Sequence, residues 1–286
     1  MNMKHIVFGV AAAAALATGA QAATVFGVDE NNNLVTFKSA APGVFTSSRT
    51  INGTNATFLA LDFRDSNNRL YGLADDLRVY AINTSTGLAS AIGDPLAITG
   101  SSFGFDFNTA VDRLRVVSNN DSNYVVNDDT GTVTRFADVF YGAGDLNAGI
   151  DPTVTANAYR HGTGNQFAID TNTDFLVRQA NNAGTLTSVG SLGVAVGPRS
   201  SFDSDFDGLG FVQDVNRFYR VDLATGRATL VGNTSSALFG IAVAPAGLVP
   251  EPGTWAMMIL GFGAMGGAMR RRSAAAKASR MRLTYA

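Results

Sequence analysis

Four stretches of the chain repeat one pattern: YAINTSTGLASAIG (Tyr80–Gly93), YVVNDDTGTVTRFA (Tyr124–Ala137), LVRQANNAGTLTSVG (Leu176–Gly190) and YRVDLATGRATLVG (Tyr219–Gly232). Each joins an alternating apolar strand to a turn of Asn, Asp or Thr closed by Gly, then a second short strand. That is a β-hairpin signature. VTFKSAAPGVFTSS (Val35–Ser48) is a weaker fifth copy. The turn glycines Gly43, Gly87, Gly131, Gly184 and Gly226 lie 44, 44, 53 and 42 residues apart. A period in the forties with several short strands per unit is that of β-propeller blades.

Working outward, further strands recur in phase with these hairpins: FLALDF (Phe58–Phe63), FGFDF (Phe103–Phe107), FDSDF (Phe202–Phe206) and FGIAV (Phe239–Val243). Glutamate occurs only twice, and the wealth of Gly, Asn, Asp and Thr disfavours helix. The fold expected is all-β, a propeller of five blades. Phe239–Val243 lacks a following hairpin, and the unit beginning VFGVDENNNLVTF (Val25–Phe37) lacks a first strand. Pairing the two completes the fifth blade and closes the ring without an exposed edge. A β-sandwich or a solenoid is the alternative architecture.

Composition narrows the chemistry. With 286 residues, 46% of them hydrophobic, the chain can bury a core. It has no cysteine, which removes disulfides, thiolate nucleophiles and cysteine metal sites. Between Ala23 and Pro250 there are 14 Lys and Arg against 22 Asp and Glu, a net charge of −8. An acidic body of this kind offers no electrostatic footprint for nucleic acid.

The two ends read as addresses. Met1 to Ala22 (MNMKHIVFGVAAAAALATGAQA) carries a basic start, a short apolar stretch and the small-residue site Ala20-Gln21-Ala22. That is the layout of a signal peptide cut by signal peptidase, leaving a chain that begins at Ala23. At the other end Pro250-Glu251-Pro252 and Trp255 lead into an uncharged apolar run to Met269, then Arg270-Arg271-Arg272. The run is 15 residues, short for a transmembrane helix, and by the positive-inside rule the arginines hold it at the cytoplasmic face. Pro250 to Arg272 resembles the PEP-CTERM sorting signal of Gram-negative, exopolysaccharide-producing bacteria. The resemblance implies that an exosortase recognises and processes the Pro-Glu-Pro tripeptide after transient inner-membrane anchoring, and that the product goes to the cell envelope or outside it. The domains expected are thus a signal peptide (1–22), a propeller ectodomain (23–249), the sorting signal with its membrane anchor (250–272) and a basic cytoplasmic tail (273–286).

The ectodomain also resembles a bacterial family of exported propeller-like domains of unknown function. It shares with them Phe103-Gly104-Phe105-Asp106-Phe107-Asn108 followed by Val111-Asp112-Arg113-Leu114-Arg115-Val116-Val117-Ser118, combined with repeated Thr-Gly hairpins. That family implies a fold and no chemistry.

Three features are candidates for chemistry. Asp203-Ser204-Asp205-Phe206-Asp207-Gly208, continuing to Asp214, has the oxygen-ligand spacing of a calcium loop. Gly210 and the short Asp214 depart from that pattern. The alternative is a strand in which Asp205 takes the repeat phase of Asp62 and Asp106. In Asp112-Arg113-Leu114-Arg115 both arginines share one strand face, suited to an inter-blade salt bridge or to an anionic sugar. His161, the one histidine beyond the signal peptide, lies in the turn-like RHGTGN, where a solvated role is expected. Asn52-Gly53-Thr54 and Asn83-Thr84-Ser85 read as turn composition. No nucleophile and base stand out, and no spacing singles out a carboxylate pair. The function expected is a non-catalytic envelope or matrix protein that binds exopolysaccharide. Its alternatives are a hydrolase using two carboxylates and a protein-interaction module of an envelope assembly.

Overall fold

The computed structural model describes residues 22–127 and 130–245. The signal-peptide residues Ala20 and the stretch before it, and everything from 246 onward, including Pro250, Trp255 and the three arginines, lie outside the described residues. No helix among the described residues is long and apolar enough to cross a membrane.

Among the described residues twenty-one strands form five blades, antiparallel except where one short strand joins the fourth. β1 (Thr24–Asp29), β2 (Asn33–Lys38) and β3 (Ala41–Thr50) belong to the first blade. The second is β4 (Phe58–Arg64), β5 (Arg69–Ala74), β6 (Val79–Ile82) and β7 (Ala89–Ile92). The third is β8 (Phe103–Asn108), β9 (Arg113–Ser118), β10 (Asn123–Asn127) and β11 (Thr132–Arg135). The fourth holds β12 (Phe140–Tyr141), β13 (Val154–Tyr159), β14 (Gln166–Asp170), β15 (Phe175–Gln179) and β16 (Thr185–Ser191). The fifth is β17 (Ser201–Ser204), β18 (Gly210–Asp214), β19 (Arg217–Val221) and β20 (Ala228–Asn233), and β21 (Leu238–Val243) is the last strand among the described residues.

β21 returns to the first blade and pairs antiparallel with β1, Val25 opposite Val243 and Gly27 opposite Ile241. The sheet order is β21-β1-β2-β3, so the last strand supplies the innermost position of the first blade. This is the closure expected from the sequence, and it covers the edge of β1 that would otherwise stand unpaired. The innermost strands β21, β4, β8, β13 and β17 pack side by side around the axis, each against the next and β17 against β21.

Apolar side chains of adjacent blades interlock and hold the ring. Phe26 meets Phe63 edge-on at 5.3 Å between the first and second blades, and Tyr71 meets Phe107 at 5.1 Å between the second and third. Phe37 meets Phe218 at 5.2 Å where the fifth blade returns to the first. Ala156, Ile169, Phe202 and Val212 share one cluster between the fourth and fifth. Burying each such ring is worth about 1.5–3 kcal/mol, and inter-blade aromatic pairs add about 0.5–1.5 kcal/mol. The force holding the ring together therefore lies between blades as much as within them.

The repeated glycine answers to the same interface. Gly87 and Gly226 have φ of 75° and 80°, the left-handed turn. A Cβ on Gly87 would stand 2.5 Å from the Thr50 carbonyl oxygen of the preceding blade, and one on Gly226 2.4 Å from that of Gly190. The turn must be tight and must also nestle on the preceding outer strand. Gly43 departs from the expectation: the hairpin turns at Ser39-Ala40, with Lys38 opposite Ala41, and Gly43 lies within β3. It keeps the second role alone, its Cα facing the Asn233 carbonyl of the fifth blade. The 53-residue spacing holds β12, which pairs parallel with β16, and the loop that follows it.

Candidate functional site

The inner strands carry small or polar residues toward the axis because five strands converge there with little room. Asp62 on β4, Asp106 on β8 and Asp203 on β17 bring their carboxylates together: one oxygen of each lies within 4.8 Å of the others. All three residues are 4–5% exposed. Each also ties its blade to the next. Asp62 accepts the Phe107 N–H at 2.7 Å, Asp106 accepts that of Tyr159 at 3.0 Å, and Asp203 accepts that of Val243. Burial lifts Asp62 and Asp106 well above the ordinary carboxylate range, reinforced by the negative charge of the other members. Burial likewise lifts Asp203 to about 7, against the pull of the Val243 and Ser204 N–H groups.

At the end where the inner strands begin, the axis opens into a funnel of about 490 Å³. Its wall carries the hydroxyls of Thr57, Ser102 and Thr155 and one amide, that of Asn119. Exposed Arg199 lies over the Phe239 ring, its guanidinium carbon 5.1 Å from the centroid. The one carboxylate in the wall is Asp75, which accepts the Thr57 N–H at 3.0 Å.

At the opposite end His161 follows β13, Asp65 follows β4 and Phe206 follows β17. The three meet across blades. His161 Nδ1 lies 2.9 Å from an Asp65 carboxylate oxygen, and its ring stacks on Phe206 at 3.8 Å. The side chain is 11% exposed, so it is not the solvated loop histidine expected. Burial pulls its pKa down, but the Asp65 hydrogen bond and the nearby charges of Asp203, Asp65 and Asp205 prevail and raise it.

The residues of the calcium spacing do not converge. Asp203 faces the axis, whereas Asp205 shapes the β17–β18 turn by accepting the N–H groups of Asp207 and Leu209 at 3.0 and 2.9 Å. Asp207 is exposed. Asp214 ends β18 and pairs with Arg217. The residue in phase with Asp62 and Asp106 is Asp203 rather than Asp205, because β17 ends at Ser204.

The arginine block acts between blades, as one of its two readings held. Arg115 is buried and donates to Tyr159 at 3.2 Å, Asn123 at 2.7 Å and Asn182 at 2.7 Å, all neutral oxygens. Asp112 pairs not with its neighbours but with Arg64 of the preceding blade, at 2.8 Å through both oxygens. That guanidinium holds the Asp112 carboxyl below its ordinary pKa.

Sequence reasoning missed Asn157. It lies on β13, whose VTANAY lacks the aspartate that β4, β8 and β17 carry after a large apolar residue. The residue is 1% exposed, yet neither its Oδ1 nor its Nδ2 finds a hydrogen-bond partner.

Comparison with known proteins agrees with this architecture. A protein of unknown function from Bacteroides thetaiotaomicron is 16% identical over 81% of this chain and 68% of its own, with a TM-score of 0.52. The nidogen/laminin complex contains a chain that is 11% identical, covering 78% of this chain and 98% of that one, at 0.51. A symmetrical protein described for its de novo evolutionary emergence is 15% identical over 80% and 100%, at 0.50. At such identities the likeness concerns the fold alone. No curated protein matches the chain. Residues 248–272 match the PEP-CTERM protein-sorting motif, which implies recognition by an exosortase and export with a membrane-associated C-terminus. Residues 33–242, nearly all of the ring, match the model for a domain of unknown function, and the chain therefore belongs to the DUF4394 family.

Proposed function

We propose that this is a non-catalytic protein of the cell envelope or extracellular matrix that binds exopolysaccharide in its axial funnel. The observation that carries the reading is the funnel wall: hydroxyls and the Asn119 amide around an aromatic face, with an exposed arginine on that face and Asp75 as its single carboxylate. A sugar ring stacks its C–H face on an aromatic, its hydroxyls exchange hydrogen bonds with Ser, Thr and Asn, and a uronate or other anionic substituent meets the guanidinium. The volume falls in the range of ligand pockets. Sorting by an exosortase would deliver this funnel to where such polymers are laid down.

Hydrolysis fits less well. Two-carboxylate cleavage needs both groups against the scissile bond. Here the clustered carboxylates lie beneath the funnel, almost fully buried and engaged with the N–H groups of neighbouring strands.

The test is titration of the full chain with exopolysaccharide prepared from the strain that makes the protein. Saturable binding with no release of reducing ends is expected. Arg199→Ala, at an exposed position, should weaken binding by about 3- to 10-fold without changing the melting temperature. Failure to bind any surface glycan overturns the proposal. Reducing ends that vanish in Asp→Asn variants overturn it in favour of a hydrolase.

A further inference from the structure

The axial carboxylates raise a question that the sugar reading leaves untouched: what neutralises them. Three ionised groups in a dry interior repel one another strongly, so protons or a cation must occupy the site. One oxygen of each lies within 4.8 Å of the others, so that one hard cation can draw ligands from all three strands.

The layer directly above points to the same ligand independently. Ala60, Gly104 and Ser201 each stand two residues before the aspartate of their own strand, about 6.6 Å up the axis. Together with Asn157 they line a small space of about 10 Å³, the size that holds one water molecule. A Cβ on Gly104 would stand 2.3 Å from Asn157 Oδ1, so glycine makes room for that amide over Asp106. Both amide atoms of Asn157 and the Ser201 hydroxyl are buried without a partner. Buried polar atoms left open cost stability unless something outside the chain satisfies them.

We propose that Asp62, Asp106 and Asp203 hold a divalent, oxygen-seeking cation, Ca²⁺, on the axis of the ring, with a coordinating water held above it by Asn157 and Ser201. The ion joins the second, third and fifth blades, and its path in is the funnel. The site uses Asp203 of the calcium-like spacing but none of Asp205, Asp207 or Asp214, and it does not depend on whether the funnel takes a sugar.

The probe is Ca²⁺ itself, titrated calorimetrically into the full chain after chelator treatment at neutral pH, with melting curves in parallel. One ion per chain, a dissociation constant at or below about 1 mM and a raised melting temperature are expected. Asp106→Asn should abolish both effects, and Asp207→Asn should leave them intact. Because Asp106→Asn also loosens a tie between blades, Asn157→Ala supplies a second variant, predicted to fold and to bind about 10-fold more weakly. Absence of binding up to about ten times that concentration in the unsubstituted chain overturns the proposal. So does binding lost in Asp207→Asn but kept in Asp106→Asn, or unchanged affinity in Asn157→Ala.

Discussion

Asp121 sits in the turn between β9 and β10 with φ of 67°, a conformation that Asp and Asn tolerate better than other side chains. One of its carboxylate oxygens is buried without a hydrogen-bond partner. Burial, then the charges of Asp151 and Asp138, push its pKa up to about 6. A folded-state pKa above the ordinary carboxylate value means that this residue's contribution is fully present in acid and is lost as pH rises through about 6. Asp121→Asn keeps the shape and the turn while removing the charge. It should therefore raise the melting temperature at about pH 7.5 and leave it unchanged near pH 4. The side chain is only half-buried, so after solvent screening the gain is about 1 kcal/mol, or roughly 2–4 °C for a domain of this size. Thermal melts of the two proteins at both values decide it, and an equal gain at both would show that charge is not the cause. Residue-level roles were the least legible in the sequence. The Asp-x-Asp-x-Asp spacing drew attention to Asp203, but its geometry is set by neighbouring blades: Val243, whose N–H it holds, is 40 positions away. Asn157 carried no signal, since an unpaired amide is a property of its surroundings.

Elements were read more easily, because hairpins are local. An alternating strand, a Gly-closed turn and a second strand state their own structure, and four of the five hairpins turn at the glycine expected. The exceptions have tertiary causes. Gly43 serves contact with the fifth blade rather than the turn, and on β13 the place of the aspartate is taken by Ala158, which precedes the Tyr159 N–H held by Asp106 just as Asp106 precedes the Phe107 N–H held by Asp62. Close approach of inner strands is itself a prediction. A methyl group on Gly104 would stand 2.6 Å from the backbone nitrogen of Asn157, so β8 and β13 could not keep their separation. Gly104→Ala should cost about 1–3 kcal/mol in denaturant unfolding, as overpacking does. A cost within a few tenths would mean that the strands are free to part.

For the molecule as a whole, the closure of the ring joins the two ends of the described chain. β1 begins at Thr24, and β21 ends at Val243, immediately before the stretch that leads to the sorting motif. The residues before Thr24 and those that lead to the sorting motif therefore both join the first blade, and removing them beyond these strands leaves the ring complete. The period in the forties made the five-fold count legible, and the unpaired strand at each end made the closure legible. The ligand was not, because a funnel is assembled from residues such as Thr57, Asn119 and Arg199 that belong to different blades and share no motif.

On the function proposed above, the propeller is cargo delivered outside the inner membrane, where a polysaccharide can reach its funnel. The most direct measurement is the intact mass of the protein from its own host, taken with cell fractionation. A species that begins at Ala23, ends near Pro250 and is found in the envelope or the medium is the predicted result. A full 286-residue chain recovered from the cytoplasm would contradict it.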